Sequence, residues 1–151
     1  MMMRTHLALG ALAGVILLPY VTHKISFIPI ILLASLLPDI DSMHSYLGKY
    51  WIFRPMQWFV KHRGMLHSLT FCLLVSFIFA AFSPFLVLPF FIGYGLHLFS
   101  DSLTIEGIQI WWPKGRVARG NMLTGGRVEK ILFIAVCLAI AIFILRLSRL
   151  I

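Results

Sequence analysis

The sequence predicts an all-α fold, a polytopic membrane bundle of about five transmembrane helices with interfacial helices between them. Three observations carry that expectation. First, 60% of the 151 residues are hydrophobic and only 12% are charged, where a water-soluble domain carries roughly 25% charged residues. Second, the apolar residues fall into five runs, and the mean hydropathy of the chain is +0.95. Third, most of the charged residues fall in two connections, both rich in tryptophan, which favours membrane interfaces.

The first apolar run covers about His6 to Val21. It follows Arg4 and ends in Pro19-Tyr20, not in a small-x-small cleavage site, so it reads as a retained span and not as a leader. The second, about Ile25 to Leu37, is short against the roughly 20 residues a helix needs to cross hydrocarbon, so it either spans or re-enters. The third, about Leu66 to Phe82, is stopped by Ser83-Pro84. The fourth runs from about Phe85 to Leu103. The fifth, about Ile131 to Leu147, contains no acid or base before Arg146 in its last turn and reads as a lipid-facing anchor. In the connection 39–65, the stretch 51–60 (WIFRPMQWFV) is expected to form an interfacial helix. The chain reads as a single membrane domain over 1–151, with a polar core in 1–113 and an anchor helix over about 130–147.

Charge sets the expected orientation. Of the 13 Lys and Arg residues, only Lys24, Arg146 and Arg149 fall on one side if all five segments span. The positive-inside rule then puts the N-terminus and the base-rich side in the cytoplasm. The formal net charge of +8 is assigned to these loops and to anionic headgroups. No nucleic-acid partner is expected, because the aromatic residues sit mainly in apolar runs and not on a stacking platform. Cys72 and Cys137 lie in apolar runs without a CxxC partner, which argues for packing and against a disulfide or a thiolate metal site.

The same alternation of spans delivers ionisable groups to one face. All five carboxylates (Asp39, Asp41, Asp101, Glu106 and Glu129) and five of the six histidines fall on the base-rich side, His23 alone on the other. Ionisable groups near membrane depth are costly, and they pair, bind ions or line wet cavities. His97 and Asp101 are four apart, on one face of a helix, a spacing that can chelate a metal ion. Asp39 and Asp41 follow the boundary marked by Pro38; on a helix they would diverge by about 200°, whereas an irregular turn can present both. His62 and His67 flank a turn at Gly64, and Ser68 is placed to cap the third helix. His6 opens the first span. The expected metal ligands are His6, Asp39, His62, His67, His97 and Asp101. Arg63 is expected to hold an anionic substrate, and Asp41 and Glu106 are the candidate acids or bases. His44 lies further into its loop. Imidazole and carboxylate without thiolate suit a catalytic divalent metal, first Zn²⁺, with Mn²⁺ or Fe²⁺ as alternatives.

The segments PDIDS (38–42), HRGMLHS (62–68) and GYGLHLFSDSLTIEGIQIWWP (93–113) resemble the YdjM-like, LexA-regulated family of membrane-bound, metal-dependent hydrolases. The resemblance covers roughly residues 1–113. The ligand order His6, Asp39 or Asp41, His62 or His67, then His97-xxx-Asp101 is also similar to the zinc-dependent phospholipase C and single-strand nuclease group. That similarity implies a bridging role for Asp101 and a terminal one for His97. No histidine follows His97, so the second downstream pair of that group is missing and one or two ions are implied. The expected function is a metal-dependent hydrolase of the inner membrane, its site facing the cytoplasm, acting on a phosphoester of a lipid or lipid-linked substrate. The alternative is a protein that binds or transports metal without hydrolysis.

Overall fold

The structure, a computed structural model, describes residues 1–148; Arg149, counted above among the bases of the far side, lies outside them. Six α-helices form among the described residues: α1 (Met3–Leu17), α2 (Lys24–Ala34), α3 (Arg54–Phe59), α4 (Leu69–Phe82), α5 (Val87–Ser102) and α6 (Arg127–Ser148). Each of the five apolar runs carries a helix, so the chain is an all-α membrane protein.

The lengths qualify the expected five spans. Three stretches are long and apolar enough to cross a bilayer: Met3–Tyr20, Pro84–Ser102 and Arg127–Leu147. With 11 residues, α2 rises only about 16 Å, and α4, with 14 residues, about 21 Å. The chain leaves the α-helical path at Ser35 and forms a 3₁₀ turn over Leu37–Asp41, with Pro38 at its start. Pro38 has no N–H to give to a continuing helix, which explains the stop.

The helix ends follow local chemistry. The Ser68 side chain caps α4 by accepting from the Phe71 N–H at 3.2 Å. Ser83 closes α4, and Pro84–Leu86 forms a 3₁₀ turn into α5. The stretch Trp51–Phe59 is helical as expected, a 3₁₀ turn followed by α3, with Trp51, Trp58 and Phe59 exposed. The second polar connection instead folds as a small antiparallel pair, β1 (Ile108–Gln109) with β2 (Val117–Ala118).

α5 is the centre of the fold. It packs on α2, α4 and α1, while α6 lies along α1. Close approach of α5 to α2 depends on Gly93: a Cβ there would collide with the Ile31 carbonyl oxygen and crowd Ala34. Small residues at such contacts let membrane helices touch backbone to backbone. The core that results holds Ala34, Cys72, Phe90, Tyr94, Leu98 and Ile108. Four residues after Gly93, one turn on, the same face carries His97.

Candidate metal centre

The turn at Leu37–Asp41, the turn at Met65–His67, the start of α1 and the last turns of α5 meet at one end of the bundle. His6, His67, His97 and Asp101 are each at most 1% exposed, and Asp41 is buried. Asp39, His67 and His97 form one three-donor group, and Asp101 Oδ2 stands beside both imidazoles. His67 Nε2 lies 3.3 Å from His97 Nε2, 3.5 Å from Asp39 Oδ1 and 3.7 Å from Asp101 Oδ2. His97 Nε2 lies 3.8 Å from Asp39 Oδ1 and 3.7 Å from Asp101 Oδ2. Ligands held 2.0–2.1 Å from a tetrahedral ion are roughly 3.3 Å apart, so the Asp39, His67 and His97 donors approach the spacing of a cation site, with Asp101 Oδ2 alongside.

The second nitrogen of each imidazole decides what the first can do. His97 Nδ1 meets the Ser35 carbonyl oxygen at 2.8 Å. A carbonyl can only accept, so Nδ1 carries the proton and Nε2 presents its lone pair. His67 Nδ1 donates to Asp41 Oδ2 at 3.0 Å. His6 Nδ1 lies 2.9 Å from Ser100 Oγ, whose own hydrogen goes to the His97 carbonyl, so His6 Nδ1 is again the donor. The His6 ring stacks on His97 with centroids 3.9 Å apart. Its Nε2 is buried without a hydrogen bond, 3.4 Å from Asp101 Oδ1. Metal-binding histidines hold their other N–H against a carboxylate or a carbonyl in this way. An unsatisfied nitrogen buried among carboxylates therefore fits a cation and not a closed hydrogen-bond network.

Asp101 faces two ways. Its Oδ2 faces His67 Nε2 and His97 Nε2, while Oδ1 faces His6 Nε2 and the Met1 amino group. His6, His97 and Asp101 thus form a second donor group that shares His97 with the first.

The remaining expected site residues take other places. Asp41 lies behind His67, not among the facing donors: Oδ1 accepts from His62 Nδ1 at 2.7 Å, and Oδ2 accepts from His67 Nδ1 and from the Arg63 N–H at 3.2 Å. His62 turns its Nδ1 to Asp41 and is 42% exposed. The grouping of Asp41, His62 and His67 is therefore closed by hydrogen bonds. Arg63, a non-glycine residue at φ 62°, stretches over the cluster: Nη2 is 3.6 Å from Asp101 Oδ2 and 3.0 Å from Glu106 Oε2, and Nη1 donates to the Gly107 carbonyl at 3.0 Å. Glu106 stands at the solvent edge as the partner of Arg63. His44 joins Asp39, His62 and Arg63 around a polar cavity of about 290 Å³. His23 lies apart, against Phe85.

The electrostatics favour a cation at the cluster. Burial pushes the Asp39 carboxyl up, but the His67 hydrogen bond and the nearby imidazoles outweigh it and hold the group below the usual carboxylate range. Asp41 behaves likewise: burial opposes ionisation, while hydrogen bonds to His62 and His67 keep the carboxylate charged. Burial alone would depress His67; the hydrogen bonds to Asp39 and Asp41 overcome it and raise the imidazole to about 9. The position at His67 Nε2 is thus one that attracts a positive species, whether proton or metal ion.

Sequence reasoning passed over two features. Ser35 and Ser100 fix the tautomers of His97 and His6, yet a backbone carbonyl and a single serine carry no sequence signature. Glu129 at the start of α6 is buried and accepts from the Met2 N–H at 2.7 Å, Thr5 Oγ1 at 2.8 Å and the Gly125 N–H at 2.6 Å. It ties the expected anchor to the start of α1, next to His6. An acid two residues before an apolar run was the available signal.

Comparison with known proteins places these motifs. A family model described as "YdjM inner membrane protein" matches residues 1–150. Among curated relatives, "Inner membrane protein YdjM" of Escherichia coli (strain K12) is 38% identical over 95 residues, covering 57% of this chain and 48% of the relative. The Shigella flexneri protein of the same description matches to the same extent. The chain spans about half the length of the curated relatives it matches. No solved structure matches.

Proposed function

The chain belongs to the YdjM inner membrane protein family, and from that premise we propose that it is a membrane-bound, metal-dependent hydrolase acting on a phosphoester of a lipid or lipid-linked substrate. The observation that carries the reading is the convergence of three imidazole Nε2 atoms, each with its Nδ1 tied to an acceptor, on the Asp39 and Asp101 carboxylates. His67, His97, Asp39 and Asp101 would hold one divalent ion, with Zn²⁺ the best match to the donor set. His6 with the outer oxygen of Asp101 gives room for a second. Such an ion supplies Lewis acidity that activates water near neutral pH.

The protein's own residues do the rest. Arg63 is the anion clamp: its guanidinium stands beside Asp101 and is paired with exposed Glu106, a carboxylate that a substrate phosphate can replace on the same fork. Asp41 acts as an orienting group, fixing His67 for the metal and His62 at the polar cavity. With Nδ1 held by Asp41, His62 Nε2 is the atom left to pass a proton to a departing oxygen. The base-rich side carries the site, and the positive-inside rule supports a cytoplasmic facing for it.

The test is metal analysis coupled to turnover. Purified protein should retain stoichiometric divalent metal and cleave at least one member of a panel of phospholipids and polyprenyl phosphoesters. Asp101→Ala should keep its helical circular dichroism and lose both. Metal retention without cleavage, together with uptake of labelled Zn²⁺ into proteoliposomes, would favour a transporter instead.

A further inference from the structure

Next to the polar cavity lies a second one that the proposed chemistry leaves unused. It measures about 350 Å³ and opens between α4, α5 and the turns at 37–41 and 65–67, under α3. Its walls grow from the same elements that carry the metal donors. Leu37 and Ile40 line it, flanking Asp39; Leu66 lines it, next to His67; Tyr94 lines it, one turn from His97 on α5. Farther along, Phe71, Val75 and Phe79 of α4 face Phe90 of α5. From Phe71 to Phe79 the helix rises about 12 Å.

Every lining side chain is apolar except for the Tyr94 hydroxyl, which is spent on the Leu66 carbonyl. An ordered water needs two or more polar partners, and this cavity provides none, so it stays dry and suits hydrocarbon. The outer face of α4, with Leu74, Phe77 and Ile78 exposed, belongs to a membrane protein and meets acyl chains in any case. On the other face of the Leu37–Asp41 turn the polar cavity offers Arg63, His62 and His44 against Asp39, a setting for a phosphate headgroup. One turn therefore presents a carboxylate to a headgroup site and two aliphatic side chains to a dry slot.

We propose that the apolar cavity is a binding slot for one acyl chain of a membrane phospholipid, holding the lipid so that its phosphate lies at the metal centre. The inference rests on the hydrolase reading for the role of the headgroup, though the slot itself is defined by α4 and α5. It makes the substrate a membrane-embedded lipid and not a soluble phosphoester.

Photo-crosslinking tests the slot without using turnover. The full chain in nanodiscs is illuminated with a phosphatidic acid carrying a diazirine near the end of one acyl chain, and labelled peptides are mapped. The label is expected on the α4 and α5 segments around Val75, Phe79 and Phe90. Val75→Trp, which fills the slot, should lose that label with unchanged metal content, whereas Leu74→Trp on the outer face should keep it. In unaltered protein, long-chain phosphatidic acid should compete the label away and a dibutyryl analogue should not. A label spread evenly over the outer faces, or one that long-chain lipid does not displace, overturns the slot. Failure of the hydrolase reading looks different: no retained metal and no cleavage, with the label still mapping to Val75 and Phe90. Competition by a polyprenyl phosphate but not by phosphatidic acid would also overturn the acyl assignment.

Discussion

At one end of the bundle His6, His67 and His97 are buried, each with Nδ1 held by an acceptor and Nε2 aimed at carboxylates. At the other end His23 precedes α2, exposed, 5.5 Å from the Phe85 ring and beside a cavity of about 220 Å³ lined by Tyr20 and Phe85 without any acid. The residue type is the same and the same helices connect the two places. The difference is the surroundings: a polar acceptor behind each ring and an ionised carboxylate in front of it. Burial without those partners would only neutralise an imidazole; burial with them favours a positive charge in front of the ring.

The sharpest way to break this contrast is to remove a donor from each end. His97→Ala should abolish stoichiometric metal binding after dialysis against weak chelator, and His23→Ala should leave it untouched. Equal effects, or none, would erase the distinction. A smaller loss is expected when the acceptor behind a ring is weakened: Asp41→Asn should lower metal affinity by about 10–100-fold while every facing donor remains, measured by competition with a chelating dye. A change in Asp41→Asn as large as in His97→Ala would place Asp41 among the ligands instead.

Much of this arrangement was legible in the sequence, and the reasons it was or was not are physical. His97 and Asp101 face together because four residues make about one helical turn, a local rule that needs no tertiary knowledge. The turn at Asp39 and Asp41 follows from Pro38, yet which carboxylate faces the donors depends on the 3₁₀ geometry and on where α5 stands, so Asp39 lies in front of His67 and Asp41 behind it. Likewise His62 and His67, five residues apart around Gly64, were equivalent as sequence and are not in space. In the sequence Glu129 is only one of the five carboxylates of the base-rich side; its burial arises when α6 docks on α1. The second segment was already short as sequence, and the structure shortens it further to α2. The connection 104–130 carries a short β pair, whose two-residue strands are too brief to leave an alternating pattern in the sequence.

Two weaker predictions probe how the fold delivers the donors. Gly93→Leu should lower thermal stability in detergent by about 1–3 kcal/mol through overpacking against Ile31 and Ala34, and should reduce metal content because His97 moves from Ser35. The matching change Gly95→Leu, where a side chain would meet open space, should do neither. Ser68→Ala should cost about 1 kcal/mol through the lost α4 cap with little change in metal affinity, read from the same melting and chelator titrations.

X-ray absorption at the zinc edge of the metal-replete protein tests the central claim most directly. The convergence of His6, His67, His97, Asp39 and Asp101 predicts a first shell of nitrogen and oxygen only, at about 2.0–2.1 Å, with the outer-shell scattering of imidazole rings, all of it lost in His97→Ala. A sulfur shell at about 2.3 Å, or imidazole scattering that survives in His97→Ala, would contradict it.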